Sequence, residues 1–341
     1  MAGGVTDVGI LASVADAVEM QCCVEIRAPG PCFGAVRPLQ QAARDLHGVS
    51  PYLLAARTLA EVARRGSTVI VATGFPVPDV MPRGETDGPP GAAALARALS
   101  LGLGAHPLVL GEAPTIEPIR AACEAIGLVE ACPGAWPEGK PAFVLDSFPD
   151  DDDAVERAEE LLSWLRPKAV VVTEKPGPNG FGVAHRAGGL PSGAGRARIE
   201  VLLAKARQAG IPTISIGDNG NEAGLGALAE ATRRHKAHGE VCRCACGGGI
   251  AAVDPADITV VGAVSNWACY GIAACLAVML RQPRLLHDGA TEERVIEACL
   301  DAGAVDGMGG TLAMVDGIPA RLNGYVVELL AAIVRATLAE G

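Results

Sequence analysis

Ser67-Thr68-Val69-Ile70-Val71-Ala72-Thr73-Gly74-Phe75 is a short apolar run that ends in a polar, glycine-containing turn. The run is rich in β-branched residues and carries no charge, which predicts a strand buried on both faces. The same order of apolar run, polar turn and helical periodicity recurs along the chain. We therefore predict an α/β fold, with a mainly parallel, doubly wound sheet, helices on both faces and a site at the carboxyl ends of the strands.

The repeated pattern gives a set of expected elements. We predict strands at 67–72, 107–110, 142–145, 168–172, 211–216 and 258–264. We predict helices at 52–65, 91–103, 115–127, 150–165, 195–209, 221–234, 267–280, 291–302 and 323–339. The chain of 341 residues is expected to form one domain, 1–341. Two lobes are possible, with a boundary near 137–141, where proline and glycine cluster.

The composition narrows the classes of partner. Arg and Lys number 28 against 39 Asp and Glu, so the net charge is −11, and aromatic residues make up only 3% of the chain. An acidic, aromatic-poor surface argues against nucleic acid or an anionic membrane as the main partner. We expect a small-molecule substrate instead, and a homo-oligomer is possible. Only five of the basic residues are Lys, which suggests a GC-rich bacterial genome.

Two features bear on the compartment. The eleven cysteines are an odd number in a chain too long to need disulfides, so we expect reduced thiols and a cytoplasmic location. The first 24 residues contain three acids and no base, so we expect no signal or transit peptide.

Residues 258–280 carry no charge and are long enough to span a bilayer. We interpret them instead as a buried strand, a polar turn and a helix of small residues.

Polar turns follow four of the predicted strands, and a fifth polar stretch leads into a helix. In an open parallel sheet such turns lie at one edge, where ligands bind. We expect them to form a shared site. The five stretches are Thr73-Gly74-Phe75-Pro76, Glu85-Thr86-Asp87-Gly88-Pro89-Pro90-Gly91-Ala92, Thr173-Glu174-Lys175-Pro176-Gly177, Gly217-Asp218-Asn219-Gly220-Asn221-Glu222 and Ser265-Asn266-Trp267.

Glycines in these turns can admit an anionic group. Gly88 and Gly91 allow backbone amides to approach a ligand at a helix start, which favours a carboxylate or phosphate. Gly74 can do the same for a second anionic group. The chain has neither the dinucleotide-binding glycine motif nor the Gly-Lys-Ser/Thr ending of a nucleotide loop, which disfavours dinucleotide and ATP chemistry.

The acids of the turns can serve an ammonium group or a metal. Asp87, Glu174, Asp218 and Glu222 supply negative charge suited to an ammonium or a divalent cation such as Mg²⁺ or Mn²⁺. Crowded carboxylates raise one another's pKa, which makes a proton acceptor near neutral pH. The alternative is that Asp87, Asp218 and Glu222 are helix caps or first-turn acids.

A cysteine-rich segment gives a second, weaker signal. Cys242, Cys244 and Cys246 alternate with other residues and precede three glycines, with His235 and His238 just upstream. This spacing differs from the two-residue knuckle of zinc ribbons, and no second cysteine pair follows. We therefore expect small buried thiols in a tight turn. We expect His185 to face solvent in a glycine-rich loop, with an acid/base or substrate-contact role as the alternative.

Taken together and in this order, the five polar stretches resemble the D-glutamate cyclase family, the bacterial proteins similar to the C-terminal domain of the mitochondrial enzyme. The resemblance runs from about Arg27 to Leu330. Family members usually have Arg, Gly and Gly where this chain has Lys175, Asn219 and Ala268, and they are rich in Tyr after Gly177. Lys lacks the planar fork with which Arg grips a carboxylate.

The resemblance implies a lyase that removes water from D-glutamate to give 5-oxo-D-proline, with lactam formation inside one molecule. It implies catalytic roles for Glu174, Asp218 and Asn266. The residues it implies in substrate binding are Thr73, Gly74, Glu85, Thr86, Asp87, Gly88, Gly91, Lys175, Asn219, Gly220, Asn221, Glu222, Ser265 and Trp267. No cofactor is firmly implied. The alternatives are a binding protein for a small acidic metabolite, or a lyase or lactam hydrolase on another substrate.

Overall fold

The computed structural model describes residues 7–132 and 134–339; residues 1–6, part of the stretch in which we expect no leader peptide, lie outside it. Its centre is a seven-stranded parallel sheet of order β3-β4-β2-β1-β5-β6-β7. The strands are β1 (Thr68–Ala72), β2 (His106–Gly111), β3 (Val129–Glu130), β4 (Ala142–Ser147), β5 (Val170–Thr173), β6 (Thr213–Gly217) and β7 (Ile258–Val261). A separate hairpin joins β8 (Met314–Val315) to β9 (Ile318–Pro319).

Helices cover both faces of the sheet. They are α1 (Asp7–Cys22), α2 (Val36–His47), α3 (Pro51–Val62), α4 (Pro89–Ala98), α5 (Ile116–Ala125), α6 (Asp153–Leu165), α7 (Ile199–Gln208), α8 (Ala229–His235), α9 (Ser265–Met279), α10 (Gly289–Asp301) and α11 (Ala320–Ala339). A parallel sheet with helices on both faces confirms the predicted fold class.

The two faces of β1 show how the layers form. Val69 and Val71 point to the larger core, which holds α4, α5 and α9 and a second layer of α1, α3, α10 and α11. Ile70 and Ala72 point to the opposite core, under α6 and α7. Because both faces are covered, the strand needs no polar alternation, as its sequence predicts.

The uncharged stretch 258–280 divides between β7 and α9, as the sequence predicts. Helix α9 is buried along almost its whole length because α1, α3, α4 and α11 surround it. Helix α11 has the length and apolar composition of a membrane-spanning segment, and it packs against α9 and α10 in the fold.

The predicted helix at 221–234 is wrong over its first part, since α8 begins only at Ala229 after a short 3₁₀ turn, Gly226–Leu228. The Glu222 side chain bonds back to the amides of Asp218 and Asn219, which folds this segment into a loop. Gly224 has φ of +94°, which a continuous helix does not permit. Strand β3, helices α1 and α2 and the hairpin were not predicted from the sequence.

A substitution at Gly91 tests the close packing of α4 against α9. A Cβ atom at this position would lie 2.7 Å from Asn266 Cα and 2.8 Å from Asn266 Oδ1. Backbone on a buried helix cannot move aside cheaply, so we expect Gly91→Ala to lower the free energy of unfolding by about 1–3 kcal/mol. Gly310 has negative φ and open space around it, so Gly310→Ala is the control and should change stability by less than about 0.5 kcal/mol. Urea denaturation measures both, and equal stability of the two variants would contradict the expected clash.

Candidate active site at the sheet switch point

The polar turns meet where the sheet changes its direction of winding. From β1 the chain runs to β2 on one side, and it later returns to β5 on the other side of β1. Such a switch point leaves a crevice beyond the carboxyl ends of the strands, which is the usual ligand site of an open α/β sheet. Thr73 and Gly74 follow β1, Glu174 follows β5, and Asp218 follows β6. Long-range contacts between these turns form the site.

Two side chains cap each other's helices. The Asp87 carboxylate accepts hydrogen bonds from the amides of Ser265 (3.0 Å) and Asn266 (2.9 Å), at the start of α9. In return, Asn266 Oδ1 accepts from the amides of Gly88 (2.9 Å) and Gly91 (2.7 Å), at the start of α4. The free amides of both helix starts are thereby satisfied. The glycine amides that we expected to meet a substrate carboxylate therefore have an internal partner.

The rest of the Asn266 amide is also engaged. Its Nδ2 donates to the carbonyl of Thr86 (3.0 Å), and the Thr86 hydroxyl donates to the carbonyl of Met314 (2.6 Å). Asn266 and Thr86 are both completely buried. The amide of Asn266 thus holds α4, α9 and the β8–β9 hairpin in place, with both acceptor positions of Oδ1 and one of the two Nδ2 hydrogens engaged.

Glu174 has an unusual backbone conformation at the centre of the crevice. Its φ is +48°, which is uncommon for a residue with a side chain and recurs at functional sites. Its Oε2 accepts a hydrogen bond from the Ser265 hydroxyl at 2.5 Å. Gly88, with φ of +109°, allows the close packing here, because a Cβ atom would lie 2.6 Å from Thr73 Oγ1 and 3.1 Å from Glu174 Cβ.

A single guanidinium joins the buried carboxylate of Asp218 to the partly exposed carboxylate of Asp316. Arg27 forms ion pairs with Asp218 and, at 2.9 Å, with Asp316, and it donates to the carbonyl of Cys32 at 3.1 Å. The Arg27 side chain is 4% exposed and that of Asp218 is 1% exposed, so the pair is shielded from water. Removing one partner of such a pair leaves an uncompensated buried charge, which is strongly unfavourable.

Glu222 shapes the turn after β6. Its Oε1 accepts from the amides of Asp218 (2.9 Å) and Asn219 (2.8 Å). Its Oε2 is buried and has no hydrogen-bond partner within the described part of the chain. Burial, and then the charge of Asp218, raise the pKa of Glu222 to about 7, although the two backbone hydrogen bonds act in the opposite direction.

The other acids of the site also hold protons more tightly than usual. Burial raises the pKa values of Glu85, Asp87 and Glu174 well above their ordinary range, and neighbouring carboxylates add to the effect. Burial and Asp218 raise the pKa of Asp316 to about 7 despite the nearby guanidinium. The cluster can therefore share protons near neutral pH, as the sequence analysis predicts for crowded carboxylates.

A cavity of about 360 Å³ opens onto these groups. It is lined by acids and guanidinium groups together, namely Glu85, Glu174, Asp316, Arg27, Arg186 and Arg243. Within residues 7–132 and 134–339, the side chains of Arg186 and Arg243 have no hydrogen-bond or ion-pair partner, and the Arg186 Nε atom is buried. An unpaired guanidinium beside a cavity is suited to binding a carboxylate.

Lys175 does not line this cavity. Its ammonium forms a buried ion pair with Glu112, whose carboxylate also accepts from the Ala197 amide (3.0 Å) and the Thr115 hydroxyl (3.3 Å). Burial lowers the pKa of Lys175, while Glu112 acts to raise it. The pair ties the turn after β5 to the end of β2, and so the Lys175 ammonium is committed to Glu112.

The remaining candidates divide between cavity and core. Asn219 and Asn221 line the cavity. Trp267 is buried and donates from Nε1 to Asn323 Oδ1 (2.7 Å) on α11, so it packs in the core. Gly220 has φ of +79° and no room for a side chain, so it serves the turn.

Several residues of the site were missed by the sequence analysis. Arg27 lies before the first strand, and Asp316 lies in the hairpin turn, so no strand-end rule points to either. Glu112 directly follows β2, which was an available signal. Arg186 and Arg243 lie in glycine-rich segments away from the strand ends, so the strand-end rule points to neither.

Two groups of acids are close enough to hold a divalent cation. Carboxylate oxygens of Asp87, Asp218 and Asp316 lie within 4.8 Å of one another, as do those of Glu174, Asp218 and Glu222. Arg27 already supplies positive charge to two members of the first group. The second group therefore offers the better oxygen set for Mg²⁺ or Mn²⁺.

The raised pKa of Glu222 predicts a pH-dependent stability. Its contribution is complete below its unfolded value of 4.5 and is lost as the pH rises through about 7, because the folded state must then release the proton. Gln can still accept from both amides and cannot ionise. We therefore expect Glu222→Gln to gain up to about 3 kcal/mol over the wild type between pH 4 and pH 8.

Urea unfolding across this pH range measures the effect. Glu297, an exposed glutamate of α10, provides the control, and Glu297→Gln should follow the wild type at every pH. A Glu222→Gln variant whose stability parallels the wild type would show that burial of this carboxyl carries no such cost.

Comparison with known proteins agrees with the resemblance seen in the sequence. The family model described as D-glutamate cyclase-like, C-terminal, matches residues 27–331. Mitochondrial D-glutamate cyclase from Homo sapiens is 38% identical over 80 residues, which cover 24% of this chain and 12% of the human protein. The family match includes Arg27, all five polar stretches and Asp316. The chain therefore belongs to the D-glutamate cyclase-like, C-terminal family.

Proposed function

We propose that this protein is a lyase that converts D-glutamate to 5-oxo-D-proline and water. The observation that carries the proposal is the cavity of about 360 Å³, in which unpaired guanidinium groups face carboxyls of raised pKa. Its volume lies at the small end of the range for ligand pockets, which suits a metabolite of a few carbons. Membership of the D-glutamate cyclase-like family supports the choice of substrate.

The charges of the cavity complement those of glutamate. The substrate has two carboxylates and one ammonium group. We assign the carboxylates to Arg186 and Arg243, whose guanidinium groups have no partner within the described ranges. We assign the ammonium to Glu174 and to Asn221 Oδ1, a buried acceptor that also lacks a described partner. Such fixed contacts hold the chain folded, with the amine beside the γ-carboxyl carbon.

The reaction needs an acid and a base in one place. The amine nitrogen forms a bond to the carbon of the γ-carboxyl group, and one carbon–oxygen bond of that group breaks. Of the three ammonium protons, one stays on the lactam nitrogen and two leave with the departing oxygen as water. Glu174 and Glu85 both line the cavity, and burial beside other carboxylates raises the pKa of each well above its ordinary value. In this proposal an ionised member takes a proton from the ammonium and a protonated member gives one to the leaving oxygen.

A divalent cation fits the same site as a variant of this mechanism. Glu174, Asp218 and Glu222 would hold it. Bound there, Mg²⁺ or Mn²⁺ would polarise the γ-carboxyl group. Activity is therefore to be measured with EDTA, with Mg²⁺ and with Mn²⁺ as separate conditions.

We expect purified protein to form 5-oxoproline from D-glutamate, measured by chiral chromatography. Gln at position 174 can still accept the Ser265 hydrogen bond and cannot transfer a proton, so Glu174→Gln should lower kcat by about 10²–10⁴. Glu297→Gln is the matched control and should retain full activity. Failure to turn over either enantiomer, with or without Mg²⁺ or Mn²⁺, would overturn the proposal. Saturable binding without product would instead favour a binding protein.

Removal of one unpaired guanidinium tests substrate recognition separately. A charge-assisted hydrogen bond contributes about 1.5–3 kcal/mol, so we expect Arg186→Ala to raise KM about 10- to 100-fold. Arg233, an exposed arginine of α8, gives the control Arg233→Ala, which should leave KM unchanged. An unchanged KM in Arg186→Ala would show that a different group receives the carboxylate.

A further inference from the structure

Four potential metal ligands meet in a cluster outside the carboxylate site. His185 comes from the loop after β5, and Cys242, Cys244 and Cys246 come from the loop after α8. The three sulfur atoms are 3.3–3.5 Å apart. His185 Nε2 lies 3.3 Å from Cys244 Sγ and 3.7 Å from Cys246 Sγ.

We propose that these four side chains bind one zinc ion in a closed, tetrahedral Cys₃His site with a structural role. With Zn–S near 2.3 Å and Zn–N near 2.0–2.1 Å, an ideal tetrahedron has edges of about 3.8 Å between sulfurs and about 3.6 Å between sulfur and nitrogen. The five separations given above lie within about 0.5 Å of these lengths. All four donor atoms lie within 4.8 Å of one another.

One expectation from the sequence is corrected. His185 was expected to face solvent, yet it is completely buried. Among the described residues, the only hydrogen-bond partners of its side chain are sulfur atoms, and its Nδ1 has no partner. The three cysteines were expected to be small buried thiols in a tight turn, and the proposal gives them a further role. The sequence could not reveal the fourth ligand, because His185 and Cys242 are 57 positions apart.

The local backbone is built to bring the three sulfurs together. Gly247 and Gly249 have φ of +63° and +72°, which a residue with a side chain rarely adopts. A Cβ atom at Gly249 would lie 2.1 Å from the carbonyl oxygen of Gly239. The glycines after Cys246 therefore permit a turn tight enough to point all three thiols inward.

A supporting residue holds the turn from the other loop. Asn179 Nδ2 donates to Gly249 O (2.7 Å) and to Cys246 Sγ (3.5 Å). Its Oδ1 accepts from the amides of Phe181 and Val183. Hydrogen bonds of this kind orient the ligands in metal sites.

No disulfide joins the three cysteines, because their sulfur atoms lie 3.3–3.5 Å apart. A disulfide would need sulfur atoms near 2.05 Å apart, and the eleven cysteines are free thiols.

The zinc site would position two residues of the cavity. Arg186 follows His185 directly, and Arg243 lies between two of the cysteines. The Arg243 amide donates to Gly189 O (2.7 Å), and Asn221 Nδ2 donates to His185 O (2.9 Å). The metal would thus fasten the two arginine-bearing loops to each other and to the turn after β6.

The experiment uses untagged full-length protein purified under reducing conditions. We expect one zinc per chain by inductively coupled plasma mass spectrometry. After exchange to Co²⁺, we expect the visible absorption of a tetrahedral thiolate site. Cys244→Ser should lose the zinc or the intense cobalt bands. Cys132→Ser, which changes an exposed cysteine away from the cluster, should keep both.

A further variant separates this site from the carboxylates. Asp218→Asn removes an acid shared by both acidic groups, and it should keep one zinc per chain even if it loses catalytic activity. Wild-type protein that contains no zinc and shows no cobalt bands would overturn the proposal, as would a Cys242–Cys246 disulfide under reducing conditions. Zinc retained in Cys244→Ser but lost in Asp218→Asn would place the metal at the carboxylates and also overturn it.

Discussion

The reciprocal capping of α4 and α9 by Asp87 and Asn266 fixes the geometry on which the crevice depends. Each side chain satisfies amides at the start of the other helix, in a buried environment where unpaired amides are costly. The same contacts set the positions of Gly88 and Ser265, which pack against and hydrogen-bond Glu174. Two helix N-termini also point their positive dipole ends at the cluster of acids, which partly offsets the repulsion between them.

The cluster of acids nevertheless lowers the stability of the folded protein. Glu85, Asp87, Glu174, Glu222 and Asp316 are all buried or nearly so, and burial raises the pKa of each. Arg27 compensates two carboxylates, while the Lys175 charge is already matched by Glu112. A site that buries so many carboxyl groups is less stable than a core of uncharged side chains would be. The same property is what an acid–base reaction on an ammonium and a carboxylate requires.

Prediction from sequence succeeded where the signal is local. The run Thr68–Ala72 forms the central strand of the sheet, and the polar turns after β1, β5 and β6 meet at one edge. The prediction of a helix at 221–234 was wrong over its first part because the Glu222 side chain accepts hydrogen bonds from the backbone amides of Asp218 and Asn219. The helical periodicity of the sequence gives no indication of such a hydrogen bond. The expectation for His185 failed because its side-chain partners, Cys244 and Cys246, are 59 and 61 positions away.

The sequence by itself determined six of the seven strands of the sheet, most of the helices, the positions of the glycine-rich turns and the family of the protein, because these are properties of contiguous residues. Only the tertiary structure decided which charges meet. Arg27 and Asp218 are 191 positions apart, Lys175 and Glu112 are 63 apart, and Asp87 caps a helix 179 positions later. A hydrogen bond or ion pair depends on distances of about 3 Å in space, and the winding of the chain around the sheet sets those distances.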